Sequence, residues 1–244
     1  MPRIIPGMLI CTLCVASLDA QEVPNDKIGS PGQPPSVEGG MSVVPRSDSA
    51  VPRQLPNPAD AWWKLGRMYA DRGDHARAFG IYRQLVDSYR DGSGWVDAAI
   101  AAHSHVALGL YYLNGIPGTL PADRDAAYGL LEYAATFFGD PNAQYELGRM
   151  LLSGPRKNTV QAARWLQAAA RKNHRPAQAE LGSLLLKGEG IPRQAGMGLF
   201  WLMLANDGDD APDWVKERYA SALAQATESD RVLAYKHLEA WLKK

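Results

Sequence analysis

Residues 143–155, AQYELGRMLLSGP, return at residues 177–190 as AQAELGSLLLKGEG, so that the two Leu-Gly pairs lie 34 residues apart. Each copy is followed by a second amphipathic block, AARWLQAAA at 162–170 and GLFWLMLA at 198–205. A period of this length is typical of helical repeats, in which one helix pair cannot bury its apolar face alone and stacks on its neighbours. The pattern therefore predicts an array of helix pairs, an architecture that commonly binds other polypeptides.

We call the first helix of each pair the A helix and the second the B helix. Five pairs are predicted, and the fold class is all-α, a right-handed α-α superhelix of about ten antiparallel helices. Asp140-Pro141 and Asn57-Pro58 each combine a capping residue with a proline at the first helical position, and Thr227 with Asp230 resembles a capping box. The predicted helices are 58–72 with 74–90, 95–114 with 123–138, pairs starting at 141 and 176, and 212–226 with 228–242.

A Leu-Gly pair occurs at equivalent places in four A helices, although glycine inside a helix costs roughly 1 kcal/mol relative to alanine. We expect a close crossing to repay that cost, with an aromatic residue or an alanine of the B helix approaching the glycine. Trp165 and Trp201 recur at one repeat position, and we predict that both are packing residues. The four glycines are Gly66, Gly109, Gly148 and Gly182.

The segment before the repeats has a different composition. Residues 1–20, MPRIIPGMLICTLCVASLDA, read as a secretory signal peptide, with an uncleaved anchor as the alternative. Residues 21–55 are rich in proline and glycine and are predicted to be a disordered linker, which leaves 56–244 as the repeat domain. Cleavage removes Cys11 and Cys14, the only cysteines, and with them disulfides, thiolate metal sites and cysteine nucleophiles. The mature chain is then expected in the periplasm, without direct membrane insertion.

Charge and motifs exclude other function classes. Lys+Arg and Asp+Glu both number 26, so there is no basic excess for nucleic acid. We find no phosphate-binding loop, HExxH or GxSxG motif, and we expect neither an enzyme nor a cofactor. His103 and His105 are two residues apart and face different directions on a helix, which argues against a shared metal.

The Leu-Gly helices, the GIPRQ turn and the Ala-Ala ends of the B helices resemble the Sel-one-like subclass of tetratricopeptide-type repeats over roughly 58–206. A wider likeness runs from WWKLGRMYADRGDHARAF to WVKERY…AQATESDR and is similar to the ExoR-like negative regulators of exopolysaccharide production. That resemblance implies two partners, the periplasmic domain of a sensor histidine kinase, which the protein inhibits, and a periplasmic protease that releases the kinase on acidification. The alternative is an envelope scaffold for cell-wall or secretion machinery.

The A helices of such arrays normally line the concave, partner-binding side. Charged residues next to the Leu-Gly pair are then expected to face solvent there and to form the partner-binding face. One of the five histidines is a candidate acid sensor, because imidazole titrates between pH 5 and 8. The candidate binding residues are Lys64, Arg67, Glu146, Arg149 and Glu180.

Overall fold

Side chains at the turns determine where most helices begin. Asp140 accepts hydrogen bonds from the backbone N–H groups of Asn142 and Ala143, at 2.8 and 2.9 Å, just before Pro141 opens its helix. Thr227 and Asp230 form a complete capping box. The same role is played at other helix starts by Asp74, Asp97, Asp123, Asn158 and His174.

The computed structural model describes residues 59–92, 94, 96–208 and 211–243, all of which fall within one compact unit. It is all helical over this part of the chain, where an isolated bridge between Ile116 and Leu120 is the only β pairing. The ten α-helices of the described residues are α1 (Ala59–Asp71), α2 (His75–Arg90), α3 (Ala98–Asn114), α4 (Arg124–Tyr133), α5 (Pro141–Leu152), α6 (Thr159–Arg171), α7 (Arg175–Lys187), α8 (Ala195–Ala205), α9 (Asp213–Gln225) and α10 (Glu228–Leu242).

The predicted fold class, an α-α superhelix of about ten helices, is confirmed, with two local differences. Helix α3 begins at Ala98 rather than at residue 95, because the Asp97 side chain accepts the N–H of Ile100 at 2.8 Å and so caps the helix there. The predicted helix 123–138 is α-helical only to Tyr133 and continues as a π-helix over Ala134–Phe138, which ends at Gly139 with φ of 64°.

Two groups of buried apolar residues form the core. One extends from Ala59 to Met150 and the other from Ala163 to Ala234. Trp165 on α6 packs against the first group, and Tyr145 on α5 packs against the second, so side chains cross between the two. This pattern fits an array in which each helix pair covers the apolar face of the next.

The signal peptide at 1–20, the linker at 21–55 and the Asn57-Pro58 start lie outside the described residues and remain predictions. Among the helices that are described, none combines the length and the apolar character needed to cross a bilayer.

Candidate partner-binding face

The Leu-Gly glycines lie where the A and B helices cross. A Cβ added to Gly109 or Gly148 would stand 2.9 or 2.8 Å from the Cγ of a B-helix leucine, Leu131 or Leu166. At Gly182 it would also stand 2.8 Å from the carbonyl oxygen of Gly198, so here the two backbones themselves meet. These distances are too short for any side chain. The glycines thus allow the close helix crossings that position the A helices.

The groups that approach the glycines agree with the sequence-based expectation in part. Gly66 meets an aromatic residue, Tyr82, whose Cε1 would lie 2.8 Å from an added Cβ. At Gly109 and Gly148 a B-helix alanine contributes its carbonyl oxygen, at 3.5 and 3.4 Å from an added Cβ, but the closest group is a leucine side chain, which the expectation did not include. Trp201 is buried beside Trp241, with ring centroids 5.6 Å apart, and Trp165 is half-buried.

In two A helices, a buried glutamine side chain forms a hydrogen bond to the B helix that precedes it. Gln144 donates from Nε2 to the carbonyl oxygen of Ala135 at 3.3 Å, and Gln178 donates in the same way to Ala170 at 3.2 Å. Both carbonyls lie near the ends of their helices, and that of Ala170 also accepts the N–H of Asn173 at 3.1 Å. His105 holds the equivalent place four residues before Gly109 and contacts Ala101 O through Nδ1 at 2.7 Å.

Three of the five predicted binding residues gather around one tyrosine. Glu146 contacts Arg149 at 3.3 Å, and the Arg149 guanidinium lies 5.6 Å from the centre of the Tyr145 ring. Burial raises the pKa of Tyr145, and the charges of Arg149, Glu180, Glu146 and Arg218 act on its hydroxyl with opposing signs. The structure therefore combines side chains from α5, α7 and α9 into one set. We define the Tyr145 cluster as Tyr145, Glu146, Arg149, Glu180, Arg218 and Trp214.

Two members of the Tyr145 cluster, Arg218 and Trp214, are absent from the sequence-based set. Arg218 pairs with Glu180 at 3.0 Å and lies over the Trp214 ring at 4.8 Å. The fifth helix pair lacks the Leu-Gly signal, so the repeat register did not point to these residues. No local sequence signal marks them, because the paired groups lie 38 residues apart and meet only through the stacking of the helix pairs.

The expectation that all five charges face solvent is wrong for the two glutamates. The Glu146 side chain is only 14% exposed, and burial raises its pKa, against the opposing effect of Arg149. The Glu180 side chain, which pairs with Arg218, is 26% exposed. Arg149, at 55% exposure, presents the accessible charge of its pair with Glu146.

The other two predicted residues lie on α1, apart from the Tyr145 cluster in sequence. Lys64 pairs with Asp60 at 2.6 Å on the same helix, with both side chains more than half exposed. Arg67 is exposed and its charge acts on Tyr82, not on Tyr145. The structure thus divides the predicted binding set between α1 and the Tyr145 cluster.

Two histidines are built into the repeat packing. His105 is 1% exposed and packs on the Tyr133 ring, with centroids 5.0 Å apart, and burial lowers its pKa. His174 accepts the N–H of Ala177 through Nδ1 at 3.2 Å and therefore donates from Nε2 to Asn142 Oδ1. Burial also lowers the pKa of His174. In the described part of the chain no three His, Cys, Asp or Glu side chains are grouped to hold a metal ion.

The chemistry of the Tyr145 cluster is suited to recognition. It combines aromatic rings, two guanidinium groups and two carboxylates on consecutive A helices, and its more exposed members, Arg149, Arg218 and Trp214, can contact another polypeptide. Glu146 pairs with Arg149, and Glu180 pairs with Arg218, within the cluster. This arrangement favours a partner that presents both positive and negative side chains.

Comparison with known proteins identifies the repeats. A family model described as Sel1 repeat matches residues 102–136, 141–174 and 175–210. An exopolysaccharide production negative regulator from Rhizobium meliloti (strain 1021) is 33% identical over 182 residues, covering 70% of this chain and 66% of the relative. One of the same description from Rhizobium leguminosarum bv. viciae is 32% identical over 178 residues, covering 69% of this chain and 65% of the relative. The aligned part is thus slightly less than two thirds of either regulator.

A solved structure supports the architecture. The crystal structure of a Sel1 repeat protein from Oxalobacter formigenes matches 72% of this chain and 68% of its own length, with a TM-score of 0.54 and 18% sequence identity. At that identity the likeness concerns the fold alone.

Proposed function

Because the chain is a Sel1-repeat protein similar to the exopolysaccharide production negative regulators, we propose that it represses exopolysaccharide synthesis and related host-interaction genes through a protein partner. The partner in this proposal is the periplasmic sensing domain of a two-component sensor histidine kinase, which the repeats hold inactive. The observation that carries the proposal is the similarity to two regulators over about 70% of this chain.

The fold and these relatives point to a protein-interaction domain and not to a catalytic one. Localisation in the periplasm and release of the kinase by a periplasmic protease belong to the same proposal, and they rest on the leader-like residues 1–20 and on the family resemblance.

The Tyr145 cluster is the surface we assign to the kinase. It lies on A helices, it joins three consecutive helix pairs, and Arg149 is its exposed cation. Arg and aromatic residues supply most of the binding energy in protein interfaces. An interface centred there explains why three of the charges next to the Leu-Gly pairs converge.

The test compares two arginines in similar settings. Arg149 and Arg83 are both about half exposed, and each pairs with an acid on its own helix. We expect Arg149→Glu to weaken binding of the kinase domain at least about tenfold, which corresponds to 1.4 kcal/mol, and to raise exopolysaccharide output, while Arg83→Glu leaves both unchanged. Equal effects of the two substitutions would remove the Tyr145 cluster from the proposal.

Partner identity is tested separately by a photo-crosslinking residue at position 149 in living cells, followed by mass spectrometry. Capture of a sensor kinase supports the regulator. Capture of glycan-processing or secretion proteins in its place supports the envelope scaffold and overturns kinase inhibition.

A further inference from the structure

The last helix of the described chain has an unusual outer side. The solvent-facing side of a surface helix is normally polar. In α10, however, Val232 is 45% exposed, Tyr235 58% and Leu242 74%. At 100° per residue these three side chains fall within about 80° of arc. We call them the α10 strip.

The opposite side of α10 is the one that packs on the array. Ala234 is fully buried there, Trp241 lies 5.6 Å from Trp201 between ring centroids, and Leu233 is within contact distance of Gly196. The α10 strip therefore faces away from α8, and the described residues leave it largely exposed.

The charges on α10 are arranged so that two antiparallel copies of the helix complement each other. Glu228 and Asp230 lie in the first turn, whereas Lys243 follows the last one. Tyr235 is the midpoint of Glu228–Leu242, with seven residues on each side. Two such helices that cross antiparallel at Tyr235 bring each Glu228 beside Leu242 and Lys243 of the other copy. The antiparallel arrangement also opposes the two helix dipoles, while a parallel one places like charges together.

We propose that a second copy of this chain covers the α10 strip, forming a symmetric dimer through antiparallel α10 helices. Tyr235 stacks on its counterpart at the two-fold axis with Val232 one turn away, whereas Leu242, seven residues from Tyr235, packs beside Glu228 of the other copy. Lys243 exchanges its contact with Glu239 of its own helix, at 2.6 Å, for one shared with Glu228 of the other copy. The α10 strip shares no residue with the Tyr145 cluster, and the dimer proposal is independent of the proposed regulatory function.

A disulfide trap tests the two-fold axis. In a chain with Cys11 and Cys14 replaced by serine, we expect Tyr235→Cys to oxidise to a covalent dimer, because both copies of residue 235 meet at the axis. Lys64→Cys is the control, since its side chain is 72% exposed on α1, far along the chain. Failure of the Tyr235→Cys chain to crosslink, or equal crosslinking by both chains, overturns the proposal.

Charge exchange tests the orientation. Glu228→Lys and Lys243→Glu are each expected to lower the dimer fraction in sedimentation velocity at micromolar concentration, and the double substitution is expected to restore it. Circular dichroism on each variant verifies that α10 is retained. A natural chain that sediments as a monomer throughout, or a double variant no more dimeric than the single ones, contradicts the arrangement. Photo-crosslinking from position 235 only to a different protein in cells also contradicts it.

Discussion

At Gly182 two helix backbones approach so closely that a single methyl group decides whether they fit. A Cβ at this position would stand 2.8 Å from Gly198 O, and one at Gly198 would stand 2.8 Å from Gly182 O. The contact is therefore reciprocal, and neither partner can move aside as a flexible side chain could. By contrast, a Cβ added to Gly80, on the exposed side of α2, would meet no atom within 4 Å beyond its own helix backbone and chain neighbours.

These two glycines give opposite predictions for the same substitution. We expect Gly182→Ala to lower the free energy of unfolding by about 1–3 kcal/mol, because the added methyl group forces the crossing apart. Gly80→Ala is expected to raise it by up to about 1 kcal/mol, the difference in helix propensity. Urea denaturation of both variants measures the two effects, and destabilisation by both would show that the crossing is not the cause.

Protonation of His174 is expected to make the stability of the folded protein depend on pH. Its Nδ1 caps α7 by accepting the N–H of Ala177, so protonation removes the cap and places a positive charge at a helix N-terminus. Burial lowers the folded pKa, and only Asp140, among the charges that act on it, opposes the shift. Its other contacts are the uncharged Asn142 and Tyr145.

Because of this lowered pKa, acidification reduces the stability of the folded protein. The unfolded chain binds the proton at about pH 6.5, above the lowered folded pKa, so stability is lost as the pH falls from that value toward the folded pKa. We expect His174→Asn, which keeps a capping side chain, to reduce the loss of unfolding free energy between pH 7.5 and 5. His105→Gln is expected to do the same, because burial lowers the pKa of His105 too. Unchanged pH profiles in both variants would contradict the assignment.

At the scale of elements, the A helices α5 and α7 are held at two points by different kinds of contact. In both, the glycine crossing holds the middle of the helix, and the buried glutamine four residues earlier holds its start. Gln144 reaches a carbonyl of the π-helix, and Gln178 reaches one at the end of α6. The equal spacing of these two contacts sets α5 and α7 in the same way against the B helices beside them. The Arg218–Glu180 pair then joins α9 to α7 at the Tyr145 cluster.

The glutamine contact can be tested against an exposed glutamine. Gln178→Ala removes a buried side chain together with its hydrogen bond to the Ala170 carbonyl, which then keeps only backbone donors such as Asn173 N–H, and we expect it to cost about 1–3 kcal/mol of unfolding free energy. Gln84→Ala, on the solvent side of α2, is expected to change it by less than about 0.5 kcal/mol. A loss at Gln178 no larger than that at Gln84 would show that the buried glutamine does not stabilise the start of α7.

For the whole molecule, stability is shared between neighbouring helix pairs. The two core groups meet between α5 and α6, and helices α6 to α8 have packed neighbours on both sides, whereas α1 and α10 border the described array. In such an array, interfaces between neighbours contribute most of the stability, and the ends open first.

Hydrogen exchange measured by mass spectrometry tests this distribution. Amides of α7 and α8 are expected to exchange most slowly, and those of α1 and α10 fastest. Gly182→Ala is expected to accelerate exchange in α7 and α8 more than in α1 and α2, because its effect passes only through adjacent interfaces. Uniform acceleration along the chain would instead indicate one cooperative unit.

Local signals in the sequence were sufficient to predict the fold class and most helix bounds. The Leu-Gly pairs, the Asp140-Pro141 start and the Thr227 box have physical effects that lie within a few residues of the chain. The π-helix at Ala134–Phe138 was not predicted, because the same side chains suit an α-helix. Only the packing around these residues selects the wider turn.

The composition of the candidate site was set by tertiary packing. The sequence pointed to Glu146, Arg149 and Glu180 as charges beside the glycines, and equally to Lys64 and Arg67. Stacking of the helix pairs added Arg218 and Trp214 from a pair without the Leu-Gly signal and left the α1 residues apart. A repeat pattern records contacts within one period, whereas contacts between side chains 38 residues apart depend on how the pairs are stacked.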